Sequence, residues 1–73
     1  MTMIINQDTK FLVYRELVYE RLSVAIHGYP YLPSYTEGTI GDWSDEILGL
    51  WRKGKSVVET ADTVRKLIQS KVM

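Results

Sequence analysis

The chain has 73 residues, with nine Lys and Arg balanced by nine Asp and Glu and one His. A chain of this length forms a single domain whose core is small, so reinforcement is expected from disulfides, metals or oligomerisation. It contains no Cys, which excludes disulfides and thiolate zinc sites, and His27 alone cannot build a metal centre; oligomerisation is the reinforcement left.

No apolar run reaches the length of a membrane span, and the N-terminus lacks a signal-peptide pattern, so a soluble, cytoplasmic protein is expected. The zero net charge is unevenly placed. Residues 1–46 carry a balance of −4 and residues 47–73 a balance of +4. Acidic helix starts and basic helix ends account for much of that polarity, because they complement helix dipoles. An acidic partner for the C-terminal part is the alternative.

Residues 1–7 read as an arm led by the apolar run Met1–Ile5. Asn6 or Asp8 can cap the helix that follows, predicted over 8–27. His27-Gly28, with Pro30 just beyond, is a stop signal. His27 in the last turn is a favoured helix-end cation. The helix is apolar on two sides. Phe11, Tyr14, Val18, Leu22, Ala25 and Ile26 form one stripe, and Val13, Leu17 and Val24 form a second. Glu16, Glu20, Ser23 and His27 form the polar strip. Two apolar stripes need two partners: the helix can lie between the other two in a monomer, or the second stripe can pack on another subunit, and the later helices look too short to cover both. Val13, Leu17 and Val24 are therefore expected to pack on another subunit of a homodimer or higher oligomer. Arg15 falls inside the main stripe. Its stem can lie along the core while the guanidinium reaches water or a carboxylate, or binds an anion in a cleft.

Residues 28–41 hold three glycines, two prolines and three tyrosines over 14 residues. Pro30 and Pro33 favour extended backbone, so a loop is expected. A connection this long in so small a domain is a candidate for function. Tyr29, Tyr31 and Tyr35 are the candidate partner-binding residues, since tyrosine offers large area at low entropy cost. The alternative is that Tyr29, Tyr31, Leu32 and Ile40 fold back as a lid on the core.

A second helix is predicted over 42–53, started by Asp42 and with Trp43, Ile47, Leu50 and Trp51 on its core face. The junction that follows matches two motifs. Gly49-x-x-x-x-Gly54-Lys55-Ser56 satisfies the phosphate-loop spelling, but that chemistry needs a strand before the loop and slim residues within it. Here a helix precedes it, and the loop positions are Leu50, Trp51, Arg52 and Lys53. A helix stop and start has a cause at each position instead. Arg52 and Lys53 lie in the last turn, Gly54 closes the helix, and Ser56 with Glu59 forms a capping box. The last helix is predicted over 56–72, with Val57, Ala61, Val64, Ile68 and Val72 on one face.

Through Ile47, Leu50, Gly54, Ser56, Glu59 and Ala61, residues 44–61 resemble the first two helices of the helix-turn-helix family. That resemblance implies DNA binding by a third helix in the major groove. No turn interrupts residues 62–69, so reading would fall to Arg65, Lys66, Gln69 and Lys71 on the 56–72 helix itself. Lys53, Lys55 and Arg15 are further candidates for anion or nucleic-acid contact.

The expected fold is all-α: a small three-helix domain with a long N-terminal helix, a Tyr/Pro/Gly-rich loop and a C-terminal helical hairpin. No residue set supports catalysis or implies a cofactor. The expected function is non-enzymatic binding of another protein, as an accessory, regulator or inhibitor of the kind phages and mobile elements encode, by analogy alone. Nucleic-acid binding is the second reading. A small-ligand or nucleotide site at a subunit interface, using Arg15 and the tyrosines, is the third.

Overall fold

A computed structural model describes residues 7–72; the apolar arm expected before Gln7, and the Asn6 cap with it, lie outside the described residues. Four helices follow in order: α1 (Gln7–His27), α2 (Pro33–Ile40), α3 (Ser44–Arg52) and α4 (Val57–Val72). The fold is all-helical among the described residues, as the apolar periods require.

One helix lies where a loop was expected. α2 occupies the second half of the 28–41 segment, so the described residues form four helices rather than the three expected. The prolines do not prevent it. Pro33 stands in the first turn, where its missing N–H is no loss and its fixed φ suits the helix. Thr36 is fully buried against α1, and Gly41, at φ 95°, closes the helix with its N–H on the Glu37 carbonyl. The two-turn helix is too short to stand alone. It is held by what it buries and by the Arg15–Glu37 ion pair to α1, at 2.7 Å.

α1 packs against all three other helices. Val18, Tyr19 and Leu22 from α1, Trp43 and Ile47 at and within α3, and Ala61 and Val64 from α4 form the buried core. Phe11, Tyr14, Ile40, Val57 and Ile68 surround it. Two members of the expected main stripe, Ala25 and Ile26, are exposed, while Tyr19 and Ser23 are fully buried. Their hydroxyls explain the exchange. Tyr19 Oη accepts the Trp43 amide at 2.8 Å. Ser23 Oγ donates to the Tyr29 carbonyl at 2.6 Å and accepts the Tyr31 amide at 3.0 Å. A buried hydroxyl with partners carries little of the desolvation cost that an orphan would. Burial raises the Tyr19 phenol above its ordinary pKa, partly offset by the Trp43 amide and the Arg15 charge.

The 49–59 junction is a helix boundary at every position. The Lys55 amide bonds the Leu50 carbonyl at 3.1 Å and the Gly54 amide bonds Trp51 at 3.0 Å, the Schellman pattern, with Gly54 at φ 79°. Ser56 N donates to Glu59 Oε1 at 3.0 Å, and Glu59 N to Ser56 Oγ at 3.1 Å, completing the capping box. The Ser56 amide, and then its hydroxyl, hold the Glu59 carboxyl below its usual range. Tyr14 of α1 reaches across, donating to the Lys55 carbonyl at 2.8 Å and sharing a hydrogen bond with Thr60. Ser56→Ala is expected to cost about 1 kcal/mol in urea unfolding, through the lost cap. Lys55→Ala, whose side chain is exposed, should leave stability unchanged.

Contacts climb α1 and α4 in the same sense. Tyr14 meets the 55–60 turn, and Glu20–Ala25 lie beside Val58–Arg65. α2 and α3 also pack on α1, and α3 touches α4 as well.

Candidate functional site

The three candidate tyrosines come together. The Tyr29 and Tyr31 ring centroids are 4.8 Å apart, and so are those of Tyr31 and Tyr35. The rings form a tilted ladder at the corner where α1 passes into α2. His27, in the last turn of α1, stands edge-on to Tyr31 at 6.0 Å and to Tyr35 at 6.3 Å. Its Nε2 is 2.9 Å from Thr39 Oγ1. Two local causes position the ladder. Gly28, at φ 74°, ends α1 and turns the chain back. Ser23 then pins both Tyr29 and Tyr31 backbones to α1. Tyr35 is supplied by the first turn of α2.

The ladder is not a lid on the core. The three tyrosines remain between 40% and 59% exposed, and Leu32 beside them is 73% exposed. Residues 22–36 contain no Asp, Glu, Lys or Arg. The surface is thus aromatic, tied at its backbone to Ser23, polar only at phenol and imidazole tips, and without Asp, Glu, Lys or Arg. Aromatic rings of this kind bury large area on contact at small entropy cost, which is why they anchor protein interfaces.

The other candidates lie elsewhere. Arg15 is engaged within the fold: Nε donates to Ser44 Oγ at 2.7 Å and Nη2 to Glu37 Oε1 at 2.7 Å, with Asp42 at 3.9 Å. Its guanidinium also stacks over the Tyr19 ring at 4.8 Å. It clamps α1 to α2 and α3, which leaves it poorly placed to bind a foreign anion. Asp42 accepts the Ser44 hydroxyl and amide, and those bonds lower its pKa. Arg65 and Lys66 both pair with Asp62, at 2.9 Å and 3.2 Å. Lys53 and Lys55 are exposed in the α3–α4 turn, away from that pair. The cations therefore do not converge on one strip with Tyr29, Tyr31 and Tyr35. Trp51 is half-buried against Phe11, at 5.3 Å, as part of the helical packing.

Val13, Leu17 and Val24 remain 45–56% exposed. Among the described residues, no helix covers them fully. Among the described residues, no helix is long and apolar enough to cross a membrane.

Sequence reasoning does not find His27 and Leu32 as parts of the aromatic surface. In the sequence His27 is a helix-end cation. Its neighbours Tyr31 and Tyr35 reach it only because α2 folds back, and nothing in the local pattern announces α2.

No protein-family model matches this chain, and neither does any curated protein or solved structure.

Proposed function

We propose that this chain is a small non-enzymatic binding protein, an accessory, regulator or inhibitor whose protein partner docks on Tyr29, Tyr31 and Tyr35. The observation that carries the reading is the ladder itself: Tyr31 in contact with both Tyr29 and Tyr35 at 4.8 Å, on a backbone pinned by Ser23, with all three rings left open to solvent. A partner covering them gains aromatic burial without having to order a loop first. The charge-free 22–36 surface suits a neutral or apolar protein patch. It suits nucleic acid poorly, because phosphate neutralisation by Lys and Arg supplies most non-specific nucleic-acid affinity.

The test is capture of cross-linked partners by the tagged chain in its native host, followed by titration of the identified partner. Tyr31→Ala or Tyr35→Ala is expected to weaken binding by about 1–2 kcal/mol or more, with helicity unchanged by circular dichroism. Replacing Lys53, Lys55 and Lys66 together should have little effect. A gel shift on duplex DNA that collapses with salt, by a slope of about −0.9 per phosphate contact, and is lost with the lysines, would put nucleic-acid binding in its place.

A further inference from the structure

The open face of α1 carries a charge pattern that selects its occupant. Successive helical residues turn by about 100°, so Val13, Leu17 and Val24 lie along one line. Glu16 and Glu20 fall on one side of that line. Lys10 and Arg21 fall on the other, and all four are exposed. Among the described residues, no ion pair engages Glu16, Glu20 or Arg21. Toward α4, Glu20, Arg21, Val24 and Ala25 border a groove of about 340 Å³ with Val58, Ala61, Asp62 and Arg65. Ala25 and Ala61 give small side chains where the two helices approach. Val58 adds a further half-exposed aliphatic edge.

We infer that this face binds a second copy of the chain, in a two-fold dimer whose α1 helices run parallel. The argument is one of charge and symmetry. A partner of single sign would be attracted to one side of the apolar line and repelled by the other. An antiparallel copy brings like sides together, Glu20 over Glu20 and Arg21 over Arg21. A parallel copy brings unlike sides together: the Glu16/Glu20 side of each protomer meets the Lys10/Arg21 side of its partner. Leu17 then meets Leu17, and Val24 meets Val24, at equal heights. The chain's net charge is zero, so two copies approach without long-range repulsion. This inference stands on α1 and α4 and does not depend on the tyrosine surface.

Because the chain contains no cysteine, single-cysteine variants report the register directly. Sedimentation equilibrium of the wild-type chain over a concentration series should give a dimer. Under mild oxidation, Leu17→Cys alone and Val24→Cys alone should each form a disulfide-linked dimer. A mixture of the two variants should yield few mixed links, since those positions lie about 10 Å apart along the axis. Arg21→Glu should weaken the dimer, and the swap Glu20→Arg with Arg21→Glu should restore it. All variants alter exposed or half-exposed positions, and circular dichroism checks that helicity is kept. A wild-type monomer at every concentration overturns the proposal. So does preferential linking of the Leu17→Cys variant to the Val24→Cys variant, the mark of an antiparallel pair. A charge swap no stronger than Arg21→Glu alone overturns it too.

Discussion

Ile47→Ala is expected to cost about 2–5 kcal/mol, because deleting a buried aliphatic side chain removes its transfer energy and leaves a cavity. Ile47 is the one side chain within α3 that is fully buried. α3 has only nine residues, too few to be stable in isolation. Its attachment depends on Ile47 filling the space between Val18 and Leu22 of α1 and Val64 of α4, all of which are fully buried. A 73-residue domain has roughly 4–11 kcal/mol of stability in total, at the usual value per residue. The substitution therefore removes a large fraction of it. Urea unfolding followed by circular dichroism measures the change as a drop in midpoint at constant slope. Ile47→Val, which keeps most of the volume, should cost only about 0.5–1.5 kcal/mol. Equal costs for the two variants would mean that α3 is not anchored here.

The stop and start signals make the long helices legible. Gly28, the Gly54 Schellman turn and the Ser56–Glu59 box each act through their own backbone bonds, which neighbours in sequence determine. The α4 core face is equally legible, since Ala61 and Val64 are buried at helical spacing. α2 is not. Its Pro33, Gly38 and two threonines are weak helix formers, and it exists because Thr36 is buried and Glu37 pairs with Arg15. Those are contacts across the fold, and they override local propensity. Burial around α1 is only half legible for a related reason. Apolar residues occur nearly all round that helix, so periodicity cannot rank its faces. The ranking is decided by Tyr19 and Ser23, whose hydroxyls find partners in Trp43 and the Tyr29–Tyr31 backbone.

The candidate site divides along the same line. Composition marks Tyr29, Tyr31 and Tyr35 as candidates for contact, but it leaves open whether the segment is exposed or folds back on the core. That they stack on one another and on His27 depends on α2 turning back along α1, which only the folded chain reveals. The cations show the reverse. Arg65 and Lys66 read as candidate nucleic-acid contacts in the sequence, yet both pair with Asp62 in the fold, and Arg15 takes the carboxylate of Glu37 that its place in the apolar stripe allowed.

Trp43→Ala is expected to destabilise the chain by about 3–5 kcal/mol, the usual cost of truncating a core tryptophan. Trp43 is 7% exposed and stands where α2 has ended and α3 begins. Its amide donates to Tyr19 Oη of α1 at 2.8 Å, and its Nε1 donates to the Ile40 carbonyl of α2 at 2.8 Å. Lys71 of α4 lies over its ring at 4.9 Å. The side chain thus joins α2 to α4 and packs in the core beside α1, while the bond to Tyr19 is a backbone contact that Trp43→Ala keeps. Three substitutions separate its contributions. Trp43→Phe keeps most of the ring area and loses the Nε1 bond, about 0.5–1.5 kcal/mol. Lys71→Ala removes the cation over the ring, about 0.5–1 kcal/mol at an exposed site. Trp51→Ala, at a half-buried position packed on Phe11 and Tyr14, should cost less than Trp43→Ala, since less apolar area leaves the core. Thermal and urea unfolding of the four variants, compared with the wild-type chain, measures each difference. A Trp43→Ala cost no larger than that of Trp51→Ala would show that the α2–α3 junction unfolds independently of the α1–α4 core.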